Sequence, residues 1–449
     1  MGELFGTDGI RAKANTFPMD CETALKVGRA VAAYFGNNKR TSKLLIGRDA
    51  RISGGMLTSA LSAGICSMGV DVHLAGIIPT PAVAYLTKKG VFDAGIVISA
   101  SHNPFFDNGI KIFKKDGFKL SDSAESEIEA LIADPRVRSE SESITETGRI
   151  YSLPNAKSQY IEFLKDTFPE LASLEGLRIA LDCSNGAASH VAPGLFTSLG
   201  ADVELLACNP NGKNINDNCG SQHPQKLAQM VKDQKADMGL AFDGDADRLI
   251  AVDETGTVLT GDQIIAVFAN ELKTKGLLKN NMVVTTVMSN MGLGSTLKEM
   301  GIKHVAAAVG DRYVMEKMIE HDAVLGGEDS GHMIFLDHHT TGDGLLAALG
   351  LIQAMTNSDQ SLSELSRIMT VYPQVLINVE VSSKPDLNNN GKISKTIKSV
   401  ERRLNGRGRV LVRYSGTQPV LRIMVESPSE SETHSLCTEI ADVVTKELG

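Results

Sequence analysis

Four short polar stretches hold the residues that could do chemistry. They are Ser99-Ala100-Ser101-His102-Asn103-Pro104, Asp243-Gly244-Asp245-Ala246-Asp247-Arg248, Gly326-Gly327-Glu328-Asp329-Ser330-Gly331-His332, and Arg413-Tyr414-Ser415-Gly416-Thr417-Gln418-Pro419 with Arg422 beyond it. The first sets a hydroxyl beside an imidazole, and Asn103-Pro104 stops regular structure because a residue before proline is driven out of the helical region. It reads as a fixed, exposed turn, although a serine at a loop mouth is more commonly a turn or helix-cap residue than a nucleophile. In the second, carboxylates at i, i+2 and i+4 of an extended backbone share a face, and three converging carboxylates call for a hard divalent cation. An EF-hand comes close, with Glu254 at its twelfth position, but Arg248 stands where that loop needs glycine and both flanks read as strands. A Mg2+ loop is preferred to it and to a solvated acidic turn. The third stretch joins glycines, which let backbone approach a ligand, to groups suited to the vicinal hydroxyls of a sugar; a flexible turn explains it too. The fourth has the make-up of an anion cradle, or of a β-turn with a solvated arginine.

Strands and helices must position these loops. After the opening Phe5-Gly6-Thr7-Asp8-Gly9-Ile10-Arg11, a helical pattern runs from Cys21 to Phe35. Extended segments at 44–47, 70–74 and 94–98 then alternate with helical ones at 56–68 and 81–88, the signature of a parallel sheet with crossover helices. A charged run, 121–149, predicts a helix ended by Asp134-Pro135. The order recurs with strands at 177–182, 203–206 and 238–242, and again at 283–287, 303–307 and 323–325. Each time the third strand runs into a polar loop, which predicts three similar α/β units without sequence identity between them. From about Thr370 the order changes to strand (375–381), helix (393–404), two strands (410–412 and 420–425) and helix (430–446), an α+β pattern with antiparallel strands around Ser415-Gly416-Thr417. Gly292-Leu293-Gly294 is no dinucleotide fingerprint, since Leu297 occupies the place of its third glycine.

With 449 residues the chain exceeds one ordinary core and suggests about three domains. Hydrophobic residues at 42% with 22% charged exclude disordered and fibrous classes, and a net charge of −9 argues against nucleic-acid and membrane-surface partners. The six cysteines show no Cys-x-x-Cys pair or zinc spacing, which fits free thiols in a reducing cytosol. The start lacks a signal-peptide pattern, Gly6 occupies the place where myristoylation wants Ser or Thr, and the longest apolar run (345–352) is too short to span a membrane. A soluble cytoplasmic protein is expected.

The four loops, in this order, resemble the α-D-phosphohexomutase superfamily over essentially the whole chain. The opening segment, Cys219-Gly220-Ser221-Gln222-His223-Pro224 and Val309-Gly310-Asp311-Arg312-Tyr313-Val314 are similar to its bacterial phosphoglucosamine mutase branch. The resemblance implies three similar mixed-sheet α/β domains and a smaller α+β C-terminal domain around one central cleft. Their expected spans are 1–150 (phosphoserine), 151–254 (metal), 255–369 (sugar) and 370–449 (phosphate). It implies that Ser101 is the phosphoserine and that Ser101, Asp243, Asp245 and Asp247 bind one Mg2+. Glu328 and Ser330, with His332, would face sugar hydroxyls, while Arg413, Ser415, Gly416 and Thr417, with Arg422, would hold the phosphate that is not reacting. Ala246, Ala12 and Gln418 depart from the usual glycine, glycine and glutamate of the family.

The chemistry follows from the problem. Two oxygens too far apart for direct transfer can exchange phosphate if a phosphoserine donates first, giving a sugar 1,6-bisphosphate that also serves as activator, and then accepts the other phosphate. Arg11, Lys111 and His102 are candidates to position the phosphoryl group or move protons, with the base left open among Lys111, His102 and His332. The implied activity interconverts glucosamine 6-phosphate and 1-phosphate to supply UDP-N-acetylglucosamine synthesis. The implied partners are a sugar phosphate, a second copy in a homodimer, and a kinase or bisphosphate donor that first phosphorylates Ser101. A phosphoglucomutase or phosphomannomutase, a metal-dependent sugar phosphatase and a catalytically silent sugar-phosphate sensor stay open.

Overall fold

A computed structural model describes residues 4–6, 8–36, 42–169, 171, 173–387, 391–415 and 419–449. By internal contacts the chain divides into two compact units, one of Met1–Met288 with Ile302–Ile368 and one of Ser289–Gly301 with Met369–Gly449. The first unit holds three sheets among the described residues. One comprises β1 (Phe5–Gly6), β2 (Gly9–Lys13), β3 (Lys43–Arg48), β4 (Asp71–Ile77), β5 (Ala94–Ile98), β6 (Asp107–Lys114) and β7 (Ile150–Ser152), in the order β1-β2-β6-β5-β3-β4-β7. The second comprises β8 (Arg178–Asp182), β9 (Asp202–Leu206), β10 (Met238–Phe242) and β11 (Leu249–Asp253), ordered β11-β10-β8-β9. The third comprises β12 (Met282–Thr286), β13 (Lys303–Ala307), β14 (Leu325–Gly327) and β15 (Met333–Phe335), ordered β15-β14-β12-β13.

One motif underlies all three. Strands β3 to β6, β8 to β11 and β12 to β15 each run fourth-third-first-second across the sheet, with the first three parallel and the fourth antiparallel to the third. The expected parallel alternation thus holds for three strands of each unit, and the fourth turns back on the third through a hairpin-like connection. Those three connections are the first three polar stretches. The antiparallel strand therefore does functional work: it returns the chain at once and leaves a short, fixed loop at the sheet edge.

Burial explains the strands. β5, β8 apart from its first residue, β10 and β12 are runs of buried residues, as expected of strands covered on both faces by crossover helices. The helix Gly344–Ser358 is apolar almost all round and correspondingly buried, with Asp343 accepting N–H bonds from Leu345 and Leu346 to cap it. The helix Asp122–Ala133 ends at Asp134 as expected, but Pro135 then opens a second helix, Pro135–Ser143, because a proline at the first helical position has no N–H to lose.

The second unit contains β16 (Gln374–Glu380), β17 (Arg409–Tyr414) and β18 (Val420–Glu426) as an antiparallel sheet ordered β16-β18-β17, with the helices Gly391–Leu404 and Glu430–Leu448. Its core gathers Ile393, Val400, Ile423, Leu436 and Ile440. The helix Met291–Glu299, which follows β12 in sequence, belongs to this unit: Met291 N–H donates to Glu426 Oε2 (3.2 Å), and Asn290 exchanges two hydrogen bonds with the Tyr372 backbone.

Candidate active site

β5 delivers Ser99, Ala100 and Ser101 straight from a buried strand. Ser101 is 1% exposed and lies at φ +50°, in the left-handed region that side chains avoid. The expected exposed turn is therefore a buried one, and the reason is inward-facing backbone. Arg51, itself 1% exposed, donates from Nη2 to Ser101 O and Asn103 O (2.8 Å each) and from Nη1 to Asp107 O (3.1 Å) and Pro104 O. Its Nε is paired with Asp49 Oδ2 at 2.8 Å, and Asp49 also accepts from Ser99 Oγ at 2.6 Å. Asn216 Nδ2 reaches the same carbonyls of Ser101 and Asn103 from the loop that follows β9, at 2.9 Å each. Asp49, Arg51 and Asn216 lie outside the four polar stretches; the available signal was Asp49-x-Arg51, polar residues directly after the apolar strand β3.

The acidic loop converges by a different route from the expected one. It is a turn, not an extended strand, and Ala246 takes φ +57° at its centre. A left-handed residue here explains why glycine is usual at this place, at a cost for alanine of about 1–2 kcal/mol. One carboxylate oxygen from each of Asp243, Asp245 and Asp247 lies within 4.8 Å of the others, and all three residues are buried. Asp243 Oδ2 accepts from Ser101 Oγ at 2.5 Å; Asp245 Oδ2 accepts from Thr80 Oγ1 at 2.6 Å and pairs with Lys111 Nζ at 3.0 Å. Asp245 Oδ1 and Asp247 Oδ1 are buried without a hydrogen bond. Burial and the neighbouring Asp247 and Asp245 push the Asp243 carboxyl well above its usual range. Crowded oxygens with lone pairs left over suit a hard divalent cation, so the donor set fits a metal held by these three residues. Gly244 packs this loop on the serine loop: a Cβ there would stand 2.5 Å from Ser101 O.

Around the triad lies a ring of alternating charge. Antiparallel β2 and β6 bring Arg11 and Lys111 to the same edge, with Arg11 opposite Gly109. Lys111 Nζ lies 3.2 Å from Asp8, 3.0 Å from Asp245 and 3.4 Å from Asp247, and although burial opposes its charge, these carboxylates raise its pKa. Arg11 pairs with Asp8, and its Nε is buried without a partner. His102 Nδ1 stands 3.4 Å from Ser101 Oγ; burial, then Arg248 and Arg11, hold the imidazole down at about 4. Lys119, absent from the sequence reading, bridges Asp8 and Asp311, and Asp311 Oδ2 lies 3.3 Å from His332 Nε2. Asp8 and Asp311 fall in two of the three stretches that carried the resemblance to the phosphoglucosamine mutase branch, which was the signal available for them.

The third loop brings in Glu328, half-buried, whose Oε1 accepts from Gly310 N–H at 3.1 Å, while Ser330 is exposed. His332 is buried, with Nδ1 3.7 Å from Asp247, so it stands among carboxylates and not beside Ser330 at the surface. Gly326 and Gly327 are strand positions of β14 and serve packing: a Cβ on Gly326 would lie 2.4 Å from Met318 Sδ. A cavity of about 420 Å3 adjoins this region, lined by Lys119, Asp311, Arg312, Phe118, Leu120 and Met315 among others.

In the second unit Arg413 and Arg422 are directly opposite each other on β17 and β18, and the Nε of each is buried without a hydrogen bond. Burial, then Arg422, lowers the Arg413 pKa. Like charges opposite one another destabilise a sheet, and an anion between them is the relief. Ser415 is buried at the end of β17, with Lys384 Nζ donating to its carbonyl at 2.7 Å. Gly416 and Thr417 lie outside the described residues.

Models of the phosphoglucomutase/phosphomannomutase domains match the chain in four consecutive pieces: α/β/α domain I over residues 2–138, domain II over 158–256, domain III over 260–372 and the C-terminal domain over 376–443. A phosphoglucosamine mutase of Syntrophus aciditrophicus is 54% identical over 449 residues, covering all of both chains. The chain belongs to the phosphoglucomutase/phosphomannomutase family. Solved structures of this phosphohexomutase fold agree. A family protein of Burkholderia thailandensis superposes with a TM-score of 0.80 at 23% identity, covering 98% of this chain and 97% of that one. An N-acetylphosphoglucosamine mutase of Aspergillus fumigatus, solved with GlcNAc-6P and magnesium, gives 0.66 at 17% identity over 99% and 95%. Among the described residues no helix of this phosphohexomutase is long and apolar enough to cross a membrane.

Proposed function

We propose that this protein is a phosphoglucosamine mutase: an isomerase that interconverts glucosamine 6-phosphate and glucosamine 1-phosphate through a phosphoserine at Ser101 and a sugar 1,6-bisphosphate, and so supplies UDP-N-acetylglucosamine synthesis. The observation that carries the chemistry is Ser101 Oγ, held in a strained backbone 2.5 Å from Asp243 in a triad of buried carboxylates. End-to-end identity of 54% with a phosphoglucosamine mutase supports the amino sugar as substrate.

Asp243, Asp245 and Asp247, with the phosphoserine, would hold one Mg2+, which when bound supplies neutralisation of charge on the transferring group. In the first transfer the bond from phosphorus to Ser101 Oγ breaks as a sugar hydroxyl oxygen bonds to phosphorus, and the hydroxyl proton ends on Ser101 Oγ. There it points at Asp243 Oδ2, with the neutral His102 Nδ1 the nearest ring nitrogen at 3.4 Å. Lys111, surrounded by Asp8, Asp245 and Asp247, remains an ammonium, which suits it to hold phosphoryl oxygens and disqualifies it as the base. Arg11 adds a second cation at the same edge. Glu328, Ser330 and His332 would orient the sugar, and Arg413, Arg422, Ser415, Gly416 and Thr417 would grip the distal phosphate. After the sugar turns over, the second transfer reverses the first, and Ser101 is phosphorylated again.

Side-by-side kcat/KM values on glucosamine, glucose and mannose 6-phosphates test the reading. Glucosamine 6-phosphate should lead by roughly tenfold or more, since a site built around a polar group discriminates strongly against analogues lacking it. A lead for glucose or mannose would assign the chain to a sister activity. Release of free phosphate without isomerisation would make it a phosphatase.

A further inference from the structure

The turn that carries the metal triad is held by the starts of three helices. Gly244 O accepts from the N–H of Ala187, which opens the short 3-10 helix Ala187–His190 (2.9 Å). Asp245 O accepts from Thr80, the first residue of helix Thr80–Lys89 (2.9 Å), and Ala246 O from Gly344, the first residue of helix Gly344–Ser358 (3.0 Å). The first N–H groups of a helix have no partner inside it, so each start matches an orphan donor to one of three successive carbonyls of the turn. The fit at Gly344 is close, since a Cβ there would stand 2.4 Å from Arg248 O. Ala246, at φ +57°, lies between Asp245 and Asp247 and keeps that conformation only because its surroundings impose it.

The Gly344 start is itself set by a side chain outside the turn. Asp343 Oδ1 takes the N–H groups of Leu345 and Leu346 (3.0 Å each), which leaves the Gly344 N–H to Ala246 O. Asp343 Oδ2 accepts from the Tyr160 hydroxyl at 2.8 Å, and both residues are buried. The other polar side chain near that oxygen, His339, has its Nε2 3.9 Å away and 2.9 Å from Pro81 O. Tyr160 belongs to helix Ala156–Thr167, which also reaches the Thr80 helix: Phe163 stacks on Tyr85 with ring centroids 4.2 Å apart and meets His339 edge-on at 5.5 Å.

Given the Mg2+ reading of Asp243, Asp245 and Asp247, on which it rests, we propose a role for Tyr160: it is a positioning residue for the triad, acting through Asp343 and Gly344 on the backbone between Asp245 and Asp247. With the hydroxyl in place, the cap is fixed and the turn is formed before metal arrives. Without it Asp343 Oδ2 is left buried without its donor, the cap loosens, and Ala246 loses the contact that opposes its relaxation. Mg2+ must then restore the turn as it binds, so the loss falls on metal affinity.

Isothermal titration of full-length, metal-stripped protein with MgCl2 provides the test. Tyr160→Phe keeps the ring and removes one oxygen, and its dissociation constant for Mg2+ should rise by roughly tenfold. Gly344→Ala, whose Cβ crowds Arg248 O and moves the N–H off Ala246 O, should bind Mg2+ at least as weakly. Phe163→Leu loses the ring contacts with Tyr85 and His339, so its melt should fall while its Mg2+ affinity keeps the wild-type value. At saturating Mg2+ the kcat and KM of Tyr160→Phe should return to within about twofold of wild type, because the filled triad is the same. Wild-type Mg2+ affinity in Tyr160→Phe, equal weakening in Phe163→Leu, or a kcat that stays low at saturating Mg2+ would overturn the role of the hydroxyl. Should Tyr160→Phe not fold, wild-type affinity in Gly344→Ala would overturn it. A wild type that takes up no Mg2+ would overturn the metal reading, and this role with it.

Discussion

Replacing Arg51 with alanine removes a buried cation that holds the serine loop in its strained form. The guanidinium is paired with Asp49 and donates to the carbonyls of Ser101, Asn103, Pro104 and Asp107. Alanine leaves Asp49 buried without its partner, a loss of about 3–5 kcal/mol in comparable buried pairs. Asn216 still serves two of the four carbonyls and water can reach the vacated space, so about 3 kcal/mol is the better figure. At roughly 2–4 °C per kcal/mol for a domain of 150–250 residues, and less for a larger unit, Tm should fall by about 5–10 °C. Turnover should suffer more. Ser101 would relax from φ +50°, and a displacement of about 1 Å at a reacting atom is enough for a 100-fold loss. Arg51→Lys separates the two effects, because an ammonium can still pair with Asp49 but cannot span four carbonyls. Circular-dichroism melts and initial rates on both variants provide the comparison. An alanine variant with wild-type Tm, or a lysine variant with wild-type turnover, would refute the assignment of Arg51 as the organiser of this loop.

Three further outcomes follow from individual contacts. Thr80→Val keeps the shape of a fully buried side chain but deletes its 2.6 Å hydrogen bond to Asp245, so titration calorimetry should show Mg2+ affinity weakened by roughly 3- to 10-fold with an unchanged melt. His339 is buried with Nδ1 accepting from Thr340 N–H and Nε2 facing Pro81 O, and burial holds its pKa at about 4. The unfolded chain takes up this proton at about 6.5, so wild-type stability rises with pH between 4 and 6.5 and a contribution on the order of 3 kcal/mol is lost as pH falls through that window. Asp343, raised to about 7 by burial, acts in the opposite sense in both proteins; the wild-type advantage over His339→Asn in urea unfolding should therefore grow across that range, and a constant difference would contradict the linkage. Arg413→Ala should raise KM for the sugar phosphate and release more bisphosphate, by an amount on the order of 2–4 kcal/mol, with Mg2+ affinity unchanged. Impaired metal binding with normal KM would put that arginine in the wrong role.

The strands that were legible in the sequence are those whose burial is complete on both faces: Ala94–Ile98 reads as a five-residue apolar run, and β5 has those bounds. Helix Cys21–Phe35 was equally plain because Asp20 caps it and its apolar face is periodic. The fourth strand was legible in the second unit, where the apolar β11 follows the acidic loop, but not in the first: β6 carries Asn108, Lys111 and Lys114, and a strand that must deliver a lysine to a buried carboxylate cluster breaks the apolar pattern that would announce it. The loop motifs gave away the serine, the three aspartates and the arginines. They did not give away Arg51, Thr80, Asn216 or Lys119, whose contacts with Ser101, Asp245, Ser101 and Asp311 span 50 to 192 residues and form only in the folded chain. Backbone conformation was likewise hidden: three aspartates at alternate positions suggested an extended strand, whereas the left-handed turn at Ala246 brings them together.

Intact-mass measurement with peptide mapping, taken alongside turnover, tests the central claim most directly. Active preparations should carry one phosphate, on Ser101. Removing it should abolish the reaction, a sugar 1,6-bisphosphate should restore both phosphate and activity, and Ser101→Ala should accept neither while melting like the wild type. Full turnover by protein with an unmodified Ser101 would contradict the account.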